Sequence, residues 1–320
     1  MRAAAVFGAV LTGARSTASS TQRCNVFSVT TQTIRWASSK RGGSSSRYLQ
    51  RQKSDVYVKQ RSRPLGSKRS PPDHLEDDDL GISSGFVARS AFKLLQLDDR
   101  YKFLRPGRVI VDLGAAPGGW SQAIVERTRS RSARGTGKEN NHGSAMPVFA
   151  LDLLPVVDMD GVTSIQGDFL DGTTQERLRK LVADAALGNS SDKEQGDETK
   201  TRGFVDVVVS DMMANTTGNP IVDTEASLEL CRAAAGFAFR TLRQDTHPTL
   251  NTERKSLVAL ASKSSVLVMK YFMSHEADVF RKQVLERHFR FVKAEKMDAS
   301  RKESREQFWI CIGYKGLPPS

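Results

Sequence analysis

Three aspartates each follow a short β-rich run: Asp152 closes Pro147–Asp152, Asp168 lies just beyond Val162–Gln166, and Asp211 closes Val205–Asp211. A further run, Arg108–Leu113, leads into the glycine-rich loop Gly114-Ala-Ala-Pro-Gly-Gly-Trp120. In a doubly wound α/β sheet, ligands bind beyond the carboxyl ends of the strands, so chemistry is to be sought at these positions. A carboxylate after the second strand suits the two hydroxyls of a ribose, and Gly118-Gly119 allow close backbone approach to a ligand. Two alanines and Pro117 follow Gly114, which breaks the Gly-x-Gly-x-x-Gly spacing, and there is no Walker lysine, so a diphosphate is disfavoured. A nucleoside without phosphates and with a cationic centre fits better, and S-adenosylmethionine meets that description. Any one of the aspartates could merely cap the helix after its strand. Three at corresponding strand ends are harder to explain that way.

The positioning elements alternate. Val87–Tyr101 carries Phe92, Leu94, Leu95 and Leu97 at spacings suited to an amphipathic helix, and Ser121–Thr128, Thr174–Leu187, Thr224–Leu242 and Glu276–His288 also read as helical. Between them lie the runs above and Ser265–Lys270, with two closing strands near the end. Strands alternating with helices predict a mainly parallel sheet of the α/β class with helices on both faces. The polar stretches Arg129–Ala145, Asn189–Arg202 and Gln244–Lys255 read as insertions between elements, where added length costs little closure entropy.

Of the 320 residues, 48 are basic and 36 acidic, a net charge of +12. Residues 1–39 hold Arg2, Arg15, Arg23 and Arg35, many Ser and Thr and no acid, the composition of an organelle presequence. Residues 40–69 hold ten basic residues against Asp55 alone, interleaved with Tyr48 and Tyr57, and so could track phosphates and stack bases. Residues 70–85, with Glu76–Asp79, read as a disordered acidic insertion before a main domain over 86–320. Cys24, Cys231 and Cys311 are too few for a disulfide scaffold, and without Cys-x-x-Cys or His-x-x-x-His spacing no metal site is expected. No apolar run approaches the roughly 20 residues of a membrane helix.

The run Val109-Ile-Val-Asp112-Leu-Gly-Ala-Ala-Pro-Gly-Gly-Trp120 resembles the first cofactor motif of the FtsJ-type ribose 2′-O-methyltransferases. The likeness continues through Ala88–Leu94, Asp152–Pro155, Gln166–Phe169, Val209–Met212, Leu267–Lys270 and Ser304–Glu306. It implies a Rossmann-like methyltransferase fold with a seven-stranded sheet and a Lys-Asp-Lys-Glu tetrad, which falls on Lys93, Asp211, Lys270 and Glu306. It also implies S-adenosylmethionine contacts from Pro117, Gly118, Gly119, Trp120, Asp152, Asp168, Phe169 and Asp211. Glu303 competes with Glu306, but Glu306 leads directly into the strand Phe308–Ile312. Trp120 could equally be simple packing. With the presequence, the resemblance is greatest to the mitochondrial branch, whose members methylate a uridine ribose in large-subunit ribosomal RNA. The expectation is therefore a monomeric matrix enzyme acting on ribosomal RNA in the large subunit or its precursor. Transfer RNA is the alternative substrate, and a non-catalytic ribosome-assembly factor is the alternative class. Lys270 is expected to be central, either as a base or as a cation that steadies the developing oxyanion.

Overall fold

The computed structural model describes residues 85–135, 147–188, 203–215, 217–245, 254–300 and 304–316. The presequence, the basic arm and nearly all of the acidic insertion lie outside the described residues, as does the 189–202 insertion.

Seven strands form one sheet: β1 (Ile110–Leu113), β2 (Val148–Asp152), β3 (Val162–Gln166), β4 (Val207–Ser210), β5 (Val266–Phe272), β6 (Phe289–Glu295) and β7 (Glu306–Tyr314). Their order is β3-β2-β1-β4-β5-β7-β6. The pairs among β1 to β5 are parallel, and β7 runs antiparallel to both its neighbours. The central strands β1 and β4 are buried at every position, which explains their continuous apolar runs, whereas the edge strand β3 buries only Ile165.

Successive side chains on a strand face opposite ways, so each strand serves two cores. Val207, Val209, Val266, Val268, Phe308 and Ile310 pack under α1 (Ala91–Tyr101), α2 (Gly119–Gly135) and α5 (Arg254–Lys263). Val208, Leu267, Met269, Trp309 and Cys311 pack under α3 (Gly172–Gly188), α4 (Pro220–Thr241) and α6 (His275–Phe280). A π-helical turn, Arg281–Leu285, extends α6 into the short α7 (Glu286–His288). Parity thus places Lys270, which continues Val266 and Val268, on the α1 face. It places Glu306, which precedes Phe308, on that same face.

Several boundaries differ from the pattern-based expectation. Helix α2 runs past Thr128 to Gly135, because Arg131 reaches back to the fully buried Asp98 at 2.7 Å, joining Arg127, which lies 3.7 Å from the same carboxylate. Helix α4 begins at Pro220, four residues before Thr224, with the Asn219 side chain accepting a hydrogen bond from the Ile221 N–H at 3.0 Å. Helix α5 begins inside the stretch expected to be a polar insertion and buries Leu260 and Ala261. Helix α1 begins at Ala91 rather than Val87, which puts Lys93 in its first turn.

Candidate active site

The four tetrad residues come from four elements and meet at the carboxyl end of the sheet. Asp211 follows β4 directly, where its N–H donates to Leu113 O at 3.2 Å. Lys270 lies near the end of β5, opposite Phe308 in register, and Glu306 opens β7. Lys270 Nζ lies 3.0 Å from Asp211 Oδ1 and donates to the Asp211 carbonyl at 2.5 Å. Lys93 Nζ lies 2.7 Å from Glu306 Oε1 and 5.6 Å from the centre of the Phe308 ring. All four side chains are largely buried, Lys270 most deeply at 7% exposed. Glu303 lies outside the described residues, and the ion pair to Lys93 belongs to Glu306.

Ser304, part of the quoted motif, and Ser300, which no motif singles out, hold Glu306. Ser300 donates its hydroxyl to Glu306 Oε1 at 2.8 Å, and Ser304 Oγ accepts the Glu306 N–H at 3.1 Å. Burial works to raise the Glu306 carboxyl, but the charge of Lys93 and hydrogen bonds from Lys93 and Ser300, with help from Lys270, hold it below the usual range. The result is two cation–anion pairs side by side. Lys270 Nζ donates to the Asp211 carbonyl and lies in ion-pair range of Oδ1, an oxygen that is buried without a hydrogen bond of its own. Beneath Lys270, Cys231 donates its thiol to the Lys270 carbonyl at 3.2 Å, and burial pushes that thiol up to about 12, so it is no nucleophile.

Beside the tetrad is a cavity of about 300 Å³ lined by Gly114, Asp152, Asp168, Phe169 and Met213 among others. Asp152 accepts the Ala116 N–H at 2.9 Å on one oxygen and the Leu154 N–H at 2.8 Å on the other, which ties the glycine-rich loop to β2. Asp168 accepts the Leu170 N–H at 2.9 Å. Neither carboxylate caps a helix, the alternative open from sequence: both hold loop N–H groups, and the first turn of α3 is capped by Asp171, which accepts the Thr173 and Thr174 N–H groups at 3.1 and 3.2 Å. The Asp152 and Asp168 oxygens retain lone pairs for a ribose hydroxyl. Phe169 meets Phe237 edge-on in the core and also borders the cavity. At the rim Leu153 and Met213 are more than half exposed, an unusual state for such side chains that would end under a purine ring.

Pro117, Gly118 and Gly119 do not line this cavity. They shape the loop instead. Gly118 has φ +122°, and a Cβ there would come within 2.7 Å of Met159. Trp120 is 2% exposed, and its indole packs on Phe308 at 5.7 Å and donates to Ser90 O at 2.8 Å, the packing role open to it from sequence. Only its backbone N–H, in the unpaired first turn of α2, is left for a ligand.

The loop motif also conceals Asp112, which is fully buried and accepts the Ser121 hydroxyl at 2.6 Å, while its other oxygen has no hydrogen-bond partner. Burial pushes its carboxyl up to about 7. The Ser121 hydrogen bond opposes the rise, and the charges of Asp211 and Asp152 add to it. The signal was present in the sequence, since an acid inside an otherwise apolar central strand must be buried. Two carboxylates for a ribose, a glycine-rich loop and an apolar rim together suit a nucleoside cofactor such as S-adenosylmethionine. Among the described residues no group of three or more His, Cys, Asp or Glu is arranged to hold a metal, and no helix is long and apolar enough to cross a membrane.

The fold and this site define a Rossmann-like methyltransferase. Residues 86–314 match the family described as FtsJ-like methyltransferase, and the chain belongs to that family. It is 34% identical over 275 residues to the ribosomal RNA large subunit methyltransferase E of Rhodopseudomonas palustris (strain BisB5), covering 86% of this chain and 87% of the relative. The protein of the same description from Parvibaculum lavamentivorans is 32% identical over 309 residues, 97% of this chain and 95% of its own. A solved Plasmodium falciparum structure, described as a candidate ribosomal RNA methyltransferase, superposes with a TM-score of 0.51 over 72% of this chain and 99% of its own, at 20% identity. That likeness bears on the fold alone.

Proposed function

We propose that the protein transfers the methyl group of S-adenosylmethionine to a ribose 2′-hydroxyl of large-subunit ribosomal RNA, at a uridine, in the mitochondrial matrix, and acts during assembly of the large subunit as a monomer. The observation that carries the reaction is the juxtaposition of the Lys270–Asp211 and Lys93–Glu306 pairs beside the Asp152–Asp168 cavity. The printed descriptions of the bacterial relatives support the RNA class. The acid-free composition of residues 1–39 supports the location.

When bound, S-adenosylmethionine supplies an electrophilic methyl carbon. The protein's own part is alignment and charge. Asp152 and Asp168 grip the ribose of the cofactor, and the apolar rim excludes water around its base. Lys270, held by Asp211, faces the substrate 2′-oxygen and stabilises the negative charge that grows there as the new oxygen–carbon bond forms, and the hydroxyl proton passes late in the step to solvent water. Glu306, fixed by Lys93 and Ser300, confines the hydroxyl from the other side.

The test is transfer of labelled methyl to large-subunit ribosomal RNA, or to particles containing it, by the wild type and by Lys270→Ala. Ribose methylation at one uridine by the wild type, lost in the variant while cofactor binding persists, is the expected result. A wild type that binds RNA and cofactor yet transfers nothing would replace the enzyme with an assembly factor. Import into isolated mitochondria of a reporter carrying residues 1–39 checks the location.

A further inference from the structure

The tetrad uses one face of β5 and β7, and the next residues along the same strands open a second cavity on the other. Tyr271 follows Lys270, Gln307 follows Glu306, and the two are register partners. With Met273 and Ser274 beyond β5, and with Asp278 and Arg281 from α6 and the π-helical turn, they line a space of about 380 Å³ walled by β6. It shares no residue with the Asp152–Asp168 cavity. Only the rim formed by the ends of β5 and β7 separates it from Lys270. Met273 stands half exposed on that rim, its backbone tied to Arg305.

The charge of this space decides between occupants. The Arg281 guanidinium is held by Glu286 and lies 3.9 Å from Asp278. Lys293 borders the cavity, but its ammonium is 2.7 Å from Glu295, which bonds Tyr101 on the α1 side of the sheet. With its cations already balanced, the site is a poor receptor for a phosphate. Its polar groups are instead mixed donors and acceptors. Gln307 Oε1 accepts the Tyr271 hydroxyl at 2.7 Å, which leaves the amide N–H₂ beside Met273 Sδ. Ser274 Oγ accepts the Ala277 N–H at 3.0 Å, and its hydroxyl is given to the Glu276 carboxylate. Asp278 offers an exposed carboxylate. The floor is rigid, since Tyr271 stacks on Trp309 with ring centres 3.8 Å apart and 7° between planes. A neutral slot with an aromatic floor and mixed hydrogen-bonding edges matches the edge of a nucleobase, the part of a single-stranded RNA that proteins read most specifically. The π-helical turn at its wall is a distortion that recurs at functional sites.

We propose that this cavity binds the nucleobase next to the methylated nucleotide, with the RNA strand passing over the Met273 rim from the Lys270 face to the Tyr271 face. The inference rests on the RNA methyltransferase reading above and adds a determinant of substrate choice to it.

The test uses the full chain with labelled S-adenosylmethionine. Its substrates are large-subunit ribosomal RNA and oligoribonucleotides that span the mapped methylation site and vary the base on either side. Gln307→Ala and Asp278→Ala remove edge contacts, and Ala294→Trp fills the cavity from β6. Each is expected to raise the KM for RNA about tenfold, the scale of one lost hydrogen bond to a polar base edge. Each should also abolish discrimination at one flanking position, with the melting temperature and cofactor affinity retained. Wild-type transfer to RNA with unchanged KM and unchanged flanking preference in Ala294→Trp and Gln307→Ala overturns the cavity assignment and leaves the methyltransferase reading intact. Failure of the wild type to methylate any RNA overturns that reading and the cavity assignment together.

Discussion

Asp112→Asn isolates the cost of a carboxylate sealed at the end of β1. One oxygen of Asp112 is satisfied by Ser121 at 2.6 Å and the other by nothing, and burial raises its carboxyl from 3.8 to about 7. A folded-state value above the unfolded one means that, between about pH 4 and about pH 7, the native protein keeps a proton that the unfolded chain has released. The unfolded state then binds fewer protons, so this group makes stability fall as pH rises through that window. At ~1.4 kcal/mol per pH unit the loss reaches about 4 kcal/mol above the window and vanishes below it. Asparagine keeps the shape, can still accept the Ser121 hydroxyl, and has no proton to lose.

The unfolding free energy of Asp112→Asn minus that of the wild type should therefore climb by about 4 kcal/mol across the window and run flat on either side. Any constant offset from the new amide leaves that slope untouched. Urea denaturation at fixed ionic strength, at several pH values for both proteins, measures it. A difference independent of pH, or one that falls as pH rises, would show that Asp112 is not a buried, proton-bearing acid.

A hydrogen bond, an ion pair and the basic arm each carry a further expectation. Ser300→Ala deletes the 2.8 Å hydrogen bond to Glu306 but spares Lys93, and should lower the single-turnover methyl-transfer rate about tenfold with cofactor affinity unchanged. Lys93→Met leaves Glu306 buried without its cation and should cost about 3 kcal/mol of stability by denaturant titration, most of it recovered in the Lys93→Met/Glu306→Gln double variant. Deleting residues 40–69, with their ten basic groups, should weaken RNA binding and flatten its salt dependence while cofactor affinity stays constant, as titrations at several salt concentrations would show.

The sheet was legible because its strands are short apolar runs that helices cover on both sides, and a run such as Val207–Val209 has few other places to go. Much of the tetrad's geometry follows from the same runs. Strand parity alone puts Lys270 and Glu306 on the face that α1 covers, and Lys93 has only to sit in the first turn of that helix to reach them. What sequence could not reveal depends on contacts between distant residues. Arg131 extends α2 because Asp98, 33 positions earlier, lies where its guanidinium can reach it, and nothing within the polar run 129–135 signals that. Ser300 is ordinary in sequence and becomes part of the site only because the chain before β7 folds back onto Glu306.

Trp120 shows the opposite limit. A motif can identify a residue correctly and still leave open which of its atoms does the work. The indole, the conspicuous part, is committed to Ser90 and Phe308, and the group left for a ligand is the backbone N–H in the first turn of α2. The same holds for Asp152, for which a purely structural role and ligand binding look like rival readings when judged from sequence. A carboxylate has lone pairs enough for both, and fixing the loop with one set is what presents the other to a ribose.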